Sequence, residues 1–547
     1  MSKRTSVLII SHDVVGPRMA GPGIRYWELA RVLARPFQVT LAAPGDPQLP
    51  AADVRLCSYE PGRWDSLAPA VEGTEAILLC GDVLAWFPML ERVGIPLIVD
   101  GYDPHPLETL ELFAGTPEQE HKHRERERIL QMQCRVGDFF VCASERQRDW
   151  WLGLLEAAGR VNVHTYGEDP SLRRLIDVVP FGLPSSPPRH TRQVLKGVWP
   201  GIGPEDKVAL WGGGLWQWLD PLTAIRAMAQ IRERRDDVKL VFPGTRHPNT
   251  EAVPDMPIHQ AAVRLAEELG LLDRHVFFGD WVSYEEWPNY LVEADVGLSL
   301  HFDTVEARLA FRSRVLDYIW AGLPMVVTRG DATSGVVERY DLGAVMDYED
   351  VEGVAEAILR LLVAPEETFR EGFEQARRDL TWEKAARPLI EFCRHPRRAP
   401  DRKAMLDWLE IPDESINAEE IERRIRERSA HADGTSPSGE IERPEDIAED
   451  LWKEMIGGEG EGHISIRQRD CDIVPRHYVI DWRVPILGPV HAVVRRIINA
   501  EIRRYLFPSL EKQSSFNRKV MQALNDLARE NMRLRREIEE FQRVGLK

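Results

Sequence analysis

Residues 301–324 read HFDTVEARLAFRSRVLDYIWAGLP and lie between two short apolar runs, 296–300 and 325–328. They carry Glu306, Arg308, Arg312, Arg314 and Asp317 ahead of a Gly-Leu-Pro stop. Charge at the mouth of buried strands is costly unless it meets a partner, so the cluster points to a polar ligand. The pattern FRSRVLDYIWAG predicts a helix that ends at Gly322, with Ser313 placed to cap it and Glu306 in the loop before it. Arg312 and Arg314 would flank the free N–H groups of the helix start. Cations beside such groups make a phosphate or diphosphate site. Asp317, one turn further, can accept hydrogen bonds from a ribose diol. PGTRHPN (243–249) places Arg246 and His247 at the end of a neighbouring strand. GPRMAGPGIRYWELA (16–30) follows the first strand and opens a helix. Its Gly21 and Gly23 let backbone approach a ligand closely. The loop is not GxGxxG, so a dinucleotide fingerprint is unsupported.

These residues need a scaffold with strand ends facing a common space. Apolar β-branched runs recur at 7–10, 38–43, 76–80, 97–100, 139–143 and 176–180, with helical patterns between them. A second series follows at 208–211, 239–242, 275–278, 296–300 and 325–328, and a closing helix is expected over 381–393. Each run suits a parallel strand buried on both faces. The fold class expected is α/β: two tandem Rossmann-like domains facing a cleft, 1–187 and 188–395. In open α/β sheets, ligands bind at the carboxyl ends of the strands.

The chain has 547 residues and a net charge of −18, which argues against general nucleic-acid binding. Its six cysteines form no Cys-x-x-Cys pair, and several sit inside apolar runs, as expected of buried free thiols in a reducing compartment. The N-terminus is too short in apolar residues for a signal peptide, and no run is long enough to span a bilayer. A cytoplasmic location is expected.

Residues 396–475 read as an acidic, largely flexible connector; 401–463 alone hold 19 acidic and 8 basic residues. The segment 476–510 contains a basic amphipathic helix at 489–507, with Arg495, Arg496, Arg503 and Arg504 opposite a Val/Ile side. Such a helix lies on an anionic membrane surface or packs against its own core. Over 511–547, Val520, Leu524, Leu527, Asn531, Leu534, Ile538 and Phe541 alternate by four and three. That is a coiled-coil seam with Asn531 at an a position, which predicts a homodimer or small homo-oligomer through 520–541.

With these motifs in view, residues 5–393 resemble a retaining GT-B glycosyltransferase of family 4. The resemblance rests on the Gly loop after strand one, on VCASERQRDWWLGLL (141–155), on VVPFGLP (178–184) and on the 299–327 segment. In the family, two Glu separated by seven residues precede a Gly-x-Pro turn. The second holds the donor ribose, and Asp317 matches it. The first contacts the transferred sugar. Its position here is Leu309, and Glu306 is the nearest substitute. The family also carries Gly-Arg and Lys-Gly early in the second domain. Here WGGGLWQWLDPL (211–222) has neither cation.

The resemblance implies these roles. Gly21, Gly23 and Arg25 approach the donor diphosphate from the first domain. Gly213, Arg246, Arg312 and Arg314 hold it from the second. Asp317 fixes the ribose, and His105, Asp103 and Glu306 orient the transferred sugar. No cofactor or catalytic metal is implied. The partners are a nucleotide sugar and a glycan or lipid-linked acceptor. The tail resembles those of bacterial surface-polysaccharide assembly proteins. Two other readings stay open: a non-catalytic scaffold of the same fold, working through its coiled coil, and a two-domain nucleotide-sugar epimerase.

Overall fold

The apolar runs form parallel strands, because a run without polar alternation must be covered on both faces. In the first sheet these are β1 (Ser6–Ile10), β2 (Gln38–Pro44), β3 (Val54–Tyr59), β4 (Ala76–Leu79), β5 (Leu97–Asp100), β6 (Phe139–Cys142) and β7 (Ile176–Val178). They lie in the order β3-β2-β1-β4-β5-β6-β7. The second sheet comprises β8 (Lys207–Trp211), β9 (Val238–Phe242), β10 (Val276–Phe278), β11 (Val296–Ser299), β12 (Met325–Thr328) and β13 (Gly343–Met346), in the order β10-β9-β8-β11-β12-β13. All pairings are parallel, with Val7 opposite Val39 and Ala76, and Leu298 opposite Trp211 and Val326. The strand order reverses between β1 and β4 and again between β8 and β11. The loops that leave these strands therefore border the crevices where a ligand can sit.

This computed structural model describes residues 4–402, except Gln48, 51–52, 246–255 and Glu366. Arg246, His247, the basic segment 489–507 and the heptads 520–541 lie outside the described residues. Both sheets belong to one compact unit, Met1–Glu414. No described helix is long and apolar enough to cross a membrane. The five described cysteines are free thiols, and all but Cys57 are buried.

One apolar cluster runs through both halves, from Val7, Tyr26 and Trp27 to Val315, Ile319 and Met325, by way of Phe181, Trp382 and Phe392. The two connections between the halves pair with each other. Leu183 N–H donates to Leu380 O at 2.7 Å, and Trp382 N–H donates to Leu183 O at 3.1 Å. A Cβ on Gly182 would stand 2.4 Å from Trp382 N, so only glycine fits there. The closing helix expected over 381–393 is two helices, Trp382–Ala385 and Arg387–Arg394, with a proline in the first turn of the second.

The chain then returns to the first half. Ala399 N–H donates to Asp138 at 3.0 Å, and Arg160 pairs with Asp401 at 2.5 Å. The stretch 396–402, expected to begin a flexible connector, is docked instead. Buried ion pairs hold it there, and their arginines lie more than two hundred residues away in sequence or at its very end.

Gly23 differs from its expected role. A Cβ at this position would meet Val14 O at 2.4 Å and Met19 Cβ at 2.8 Å, whereas Gly21 has nothing within 4 Å. Gly23 lets the loop 14–19 pack on helix Gly21–Ala34. Gly23→Ala is expected to cost about 1–3 kcal/mol through overpacking. Gly21→Ala is expected to be neutral or slightly stabilising, as alanine in a helix usually is. Urea titration of the two variants checks the contrast.

Candidate functional site

The helix Ser313–Ala321 starts where β11 and β12 face the cleft. Arg312 occupies its N-cap position, no side chain caps it, and Gly322 ends it at φ +74°. Ser313 is thus the first helical residue and not the cap. Arg314 Nη2 donates to Gly214 O at 3.2 Å, and its guanidinium lies 5.3 Å from the centre of the Trp211 ring. Arg314 Nη1 is buried without a partner. Gly213 adopts φ +76°, and a Cβ on it would lie 3.8 Å from Arg314 Nη2. Burial lowers the Arg314 pKa to about 10, which leaves it a cation at neutral pH.

Asp317 accepts a hydrogen bond from Trp287 Nε1 at 3.0 Å. Burial pushes its carboxyl up to about 7, against the pull of Trp287 and Arg314. The Tyr318 hydroxyl accepts from Gly212 N–H at 2.7 Å and lies 2.8 Å from Leu298 O, which fastens the glycine loop to β11. Trp281 packs over this loop; a Cβ on Gly214 would be 3.4 Å from its ring.

Two arginines expected on the donor are elsewhere. Arg312 is 8% exposed and forms a two-pronged pair with Glu306, itself 2% exposed, at 3.0 and 2.7 Å. Glu306 belongs to the short helix Val305–Leu309 and not to a loop, because Thr304 caps that helix. Asp331 stands 4.0 Å from Arg312 Nε and 3.7 Å from His301 Nε2. Burial raises the Glu306 pKa and Arg312 opposes the rise. The pair is withdrawn from solvent and fixes the start of helix Ser313–Ala321. Arg25 is fully buried in the first half. It grips Asp100 at 2.6 and 3.0 Å and Val179 O at 2.8 Å, and lies over the rings of Tyr102 and Phe181. Its role is to hold the end of β5, not to meet a diphosphate.

On the first-half side, Asp103 and His105 stand at the start of helix His105–Leu112, joined by Glu108. His105 Nδ1 is 3.4 Å from Glu108 Oε2. One ligand atom from each of the three lies within 4.8 Å of the others, a spacing that a metal ion would also fit. Burial pushes Asp103 up to about 8, and the Glu108 charge adds to the rise. Burial works against the His105 charge, but Glu108 and Asp103 outweigh it and its pKa rises. His12 meets His105 edge-on, with ring centres 5.6 Å apart, and its Nδ1 lies 2.8 Å from Cys80 Sγ. Burial and the His105 charge lower His12 to about 3. A small cavity beside Asp103 and His105 is walled by Gly81, Arg126, Gln133 and Trp151.

The two clusters face each other. The Glu108 charge acts on both Glu306 and Arg312. Gln147 Nε2 spans the halves, donating to Tyr102 O at 2.6 Å and Leu309 O at 2.8 Å. Sequence reasoning passed over Glu108 and Gln147. Glu108 has a local signal, three residues after His105 on a helix. Gln147 has none, since its partners come from distant segments.

Residues 206–363 match the family model of group 1 glycosyl transferases. No curated protein matches the chain. Among solved structures, sucrose-phosphate synthase from Thermosynechococcus elongatus is similar at 15% identity and a TM-score of 0.49, covering 72% of this chain and 98% of that one. HepE from Anabaena, in complex with UDP and glucose, is similar at 14% identity and a TM-score of 0.49, covering 71% and 98%. WaaG, a glycosyltransferase involved in lipopolysaccharide biosynthesis, is similar at 17% identity and a TM-score of 0.44, covering 71% and 98%.

Proposed function

We propose that the protein is a GT-B glycosyltransferase that moves a sugar, with retention and without a catalytic metal, from a nucleotide-diphosphate sugar to a glycan or lipid-linked acceptor. Arg314 carries this reading. It is a part-buried cation whose Nη1 is buried and unpaired, beside a Gly-Gly-Gly loop and a helix start, inside the segment that matches the family model. A preorganised cation and helix N–H donors favour the charge that develops on a leaving diphosphate. Asp317 accepts from the ribose hydroxyls. Asp103 and His105 orient the transferred sugar; burial raises the Asp103 carboxyl to about 8, so it carries a proton to donate at neutral pH.

The bond from the anomeric carbon to the diphosphate breaks while the acceptor oxygen bonds to that carbon from the same face. The acceptor proton passes to the departing phosphate oxygen, so no side-chain base is required. The basic segment 489–507 motivates the choice of a membrane-borne acceptor in surface-polysaccharide synthesis. The buried Glu306–Arg312 pair favours a second reading, a scaffold that has lost a sugar contact; nucleotide binding separates the two.

The test is release of UDP or GDP from sugar nucleotides by the full chain, with the anomeric configuration of the product read by NMR. An inverted product removes the retaining claim, and no release from any donor removes the enzyme. Asp317 also sets a pH dependence. Its carboxylate form is the acceptor, so nucleotide affinity is expected to rise as pH increases through about 7 and to lose that dependence in Asp317→Asn. A titration series from acid to mild base reads this directly.

A further inference from the structure

The nucleotide side of the cleft carries a set of contacts that the transfer chemistry does not use. Tyr284 lies between β10 and the helix Trp287–Glu293 of the second half. Its N–H donates to Pro17 O at 2.8 Å, in the loop after β1 of the first half. Its hydroxyl donates to Glu28 Oε1 at 2.6 Å, in helix Gly21–Ala34. Glu28 is 4% exposed, and Arg31 Nη1 lies 2.9 and 3.2 Å from its two oxygens. A buried carboxylate keeps its charge only with such partners. One partner here comes from its own helix and one from across the cleft.

Tyr284 also stands against the donor wall. The Asp317 charge acts on its hydroxyl. In the same short segment, Trp281 packs over Gly214 and Trp287 holds Asp317. The loop 14–20 and the ribose carboxylate are therefore fastened to one wall, from opposite halves of the molecule.

We propose that Tyr284 and Glu28 form a clamp across the cleft that closes over the bound nucleotide, acting as positioning residues for the donor. The clamp rests on the nucleotide-sugar reading above. A nucleotide seated between Arg314 and Asp317 leaves only when the Tyr284 hydroxyl parts from Glu28. The backbone link from Tyr284 to Pro17 survives side-chain substitution, so the clamp loosens in a variant without being deleted.

The experiment is stopped-flow displacement of the fluorescent nucleotides mant-UDP and mant-GDP from the full chain. The variants are Tyr284→Phe, Glu28→Met and the pair together. Each single variant is expected to raise the dissociation rate about tenfold, the usual worth of a hydrogen bond to a charged group. The double variant is expected to add little more, because both singles remove the same contact. Unchanged dissociation rates in folded variants would overturn the clamp, even if their melting temperatures fell, since packing alone would explain that. Additive effects in the double variant would also overturn it. Failure of the unaltered chain to bind either probe would instead remove the nucleotide reading beneath the clamp, and the clamp with it.

Discussion

Arg314→Ala is expected to weaken UDP or GDP binding by about 100-fold, the usual cost of losing one member of a desolvated charge pair. The size follows from position. The guanidinium is set on the Trp211 ring and on Gly214 O, with Nη1 left over. A diphosphate oxygen arriving there meets a cation already partly withdrawn from solvent, with Nη1 buried. Little of the fold depends on that interaction, so the melting temperature is expected to move little. Arg314→Lys keeps the charge but lacks the planar fork that spans two oxygens, so it is expected to fall between alanine and the unaltered chain. Calorimetric titration gives the affinities, and a thermal melt confirms folding in each case. A fully active Arg314→Ala variant would remove this residue from the donor site.

Arg312→Ala is expected to act on stability instead. Removing one partner of a buried ion pair costs about 3–5 kcal/mol, because the other charge is left without compensation. Glu306 is 2% exposed and has Arg312 as its close cation. Glu306→Ala is expected to cost a similar amount, since Arg312 would then face only Asp331 at 4.0 Å. Replacing both residues together, Glu306→Leu with Arg312→Met, is expected to recover most of the loss, as apolar substitutes of similar volume often do. Urea unfolding of the three variants measures this. Single-variant costs below about 1 kcal/mol, the range of surface pairs, would show that the pair is not the buried brace described here.

These two arginines show how far the sequence could be read. Both flank one helix start, and spacing alone gave them one role. Their separation depends on Thr304, which winds 305–309 into a helix and turns Glu306 toward Arg312. That turn is local, but its consequence appears only when Asp331 arrives from the segment after β12. Arg25 was misplaced for a similar reason. Its partner Asp100 is 75 residues away, and a buried pair leaves no periodic trace.

The sheets were legible wherever strands are apolar throughout, as in AILL and LIVD. β3 was not, because VRLCSY is half exposed, and β13 was not, because GAVM is short and partly exposed. Each lies at the end of its sheet. Asp103 and His105 were singled out through the family resemblance alone, and the structure adds Glu108 to them. Tyr284 and Glu28, 256 residues apart, carry no sequence signal of their contact.

The measurement closest to the central claim is calorimetric titration of the full chain with UDP and with GDP, beside Arg314→Ala. One nucleotide is expected to bind, and the variant, equally stable to heat, is expected to bind it about 100-fold more weakly. Binding of neither nucleotide by a protein that melts cooperatively would contradict a donor site for these two classes and shift the reading to the scaffold.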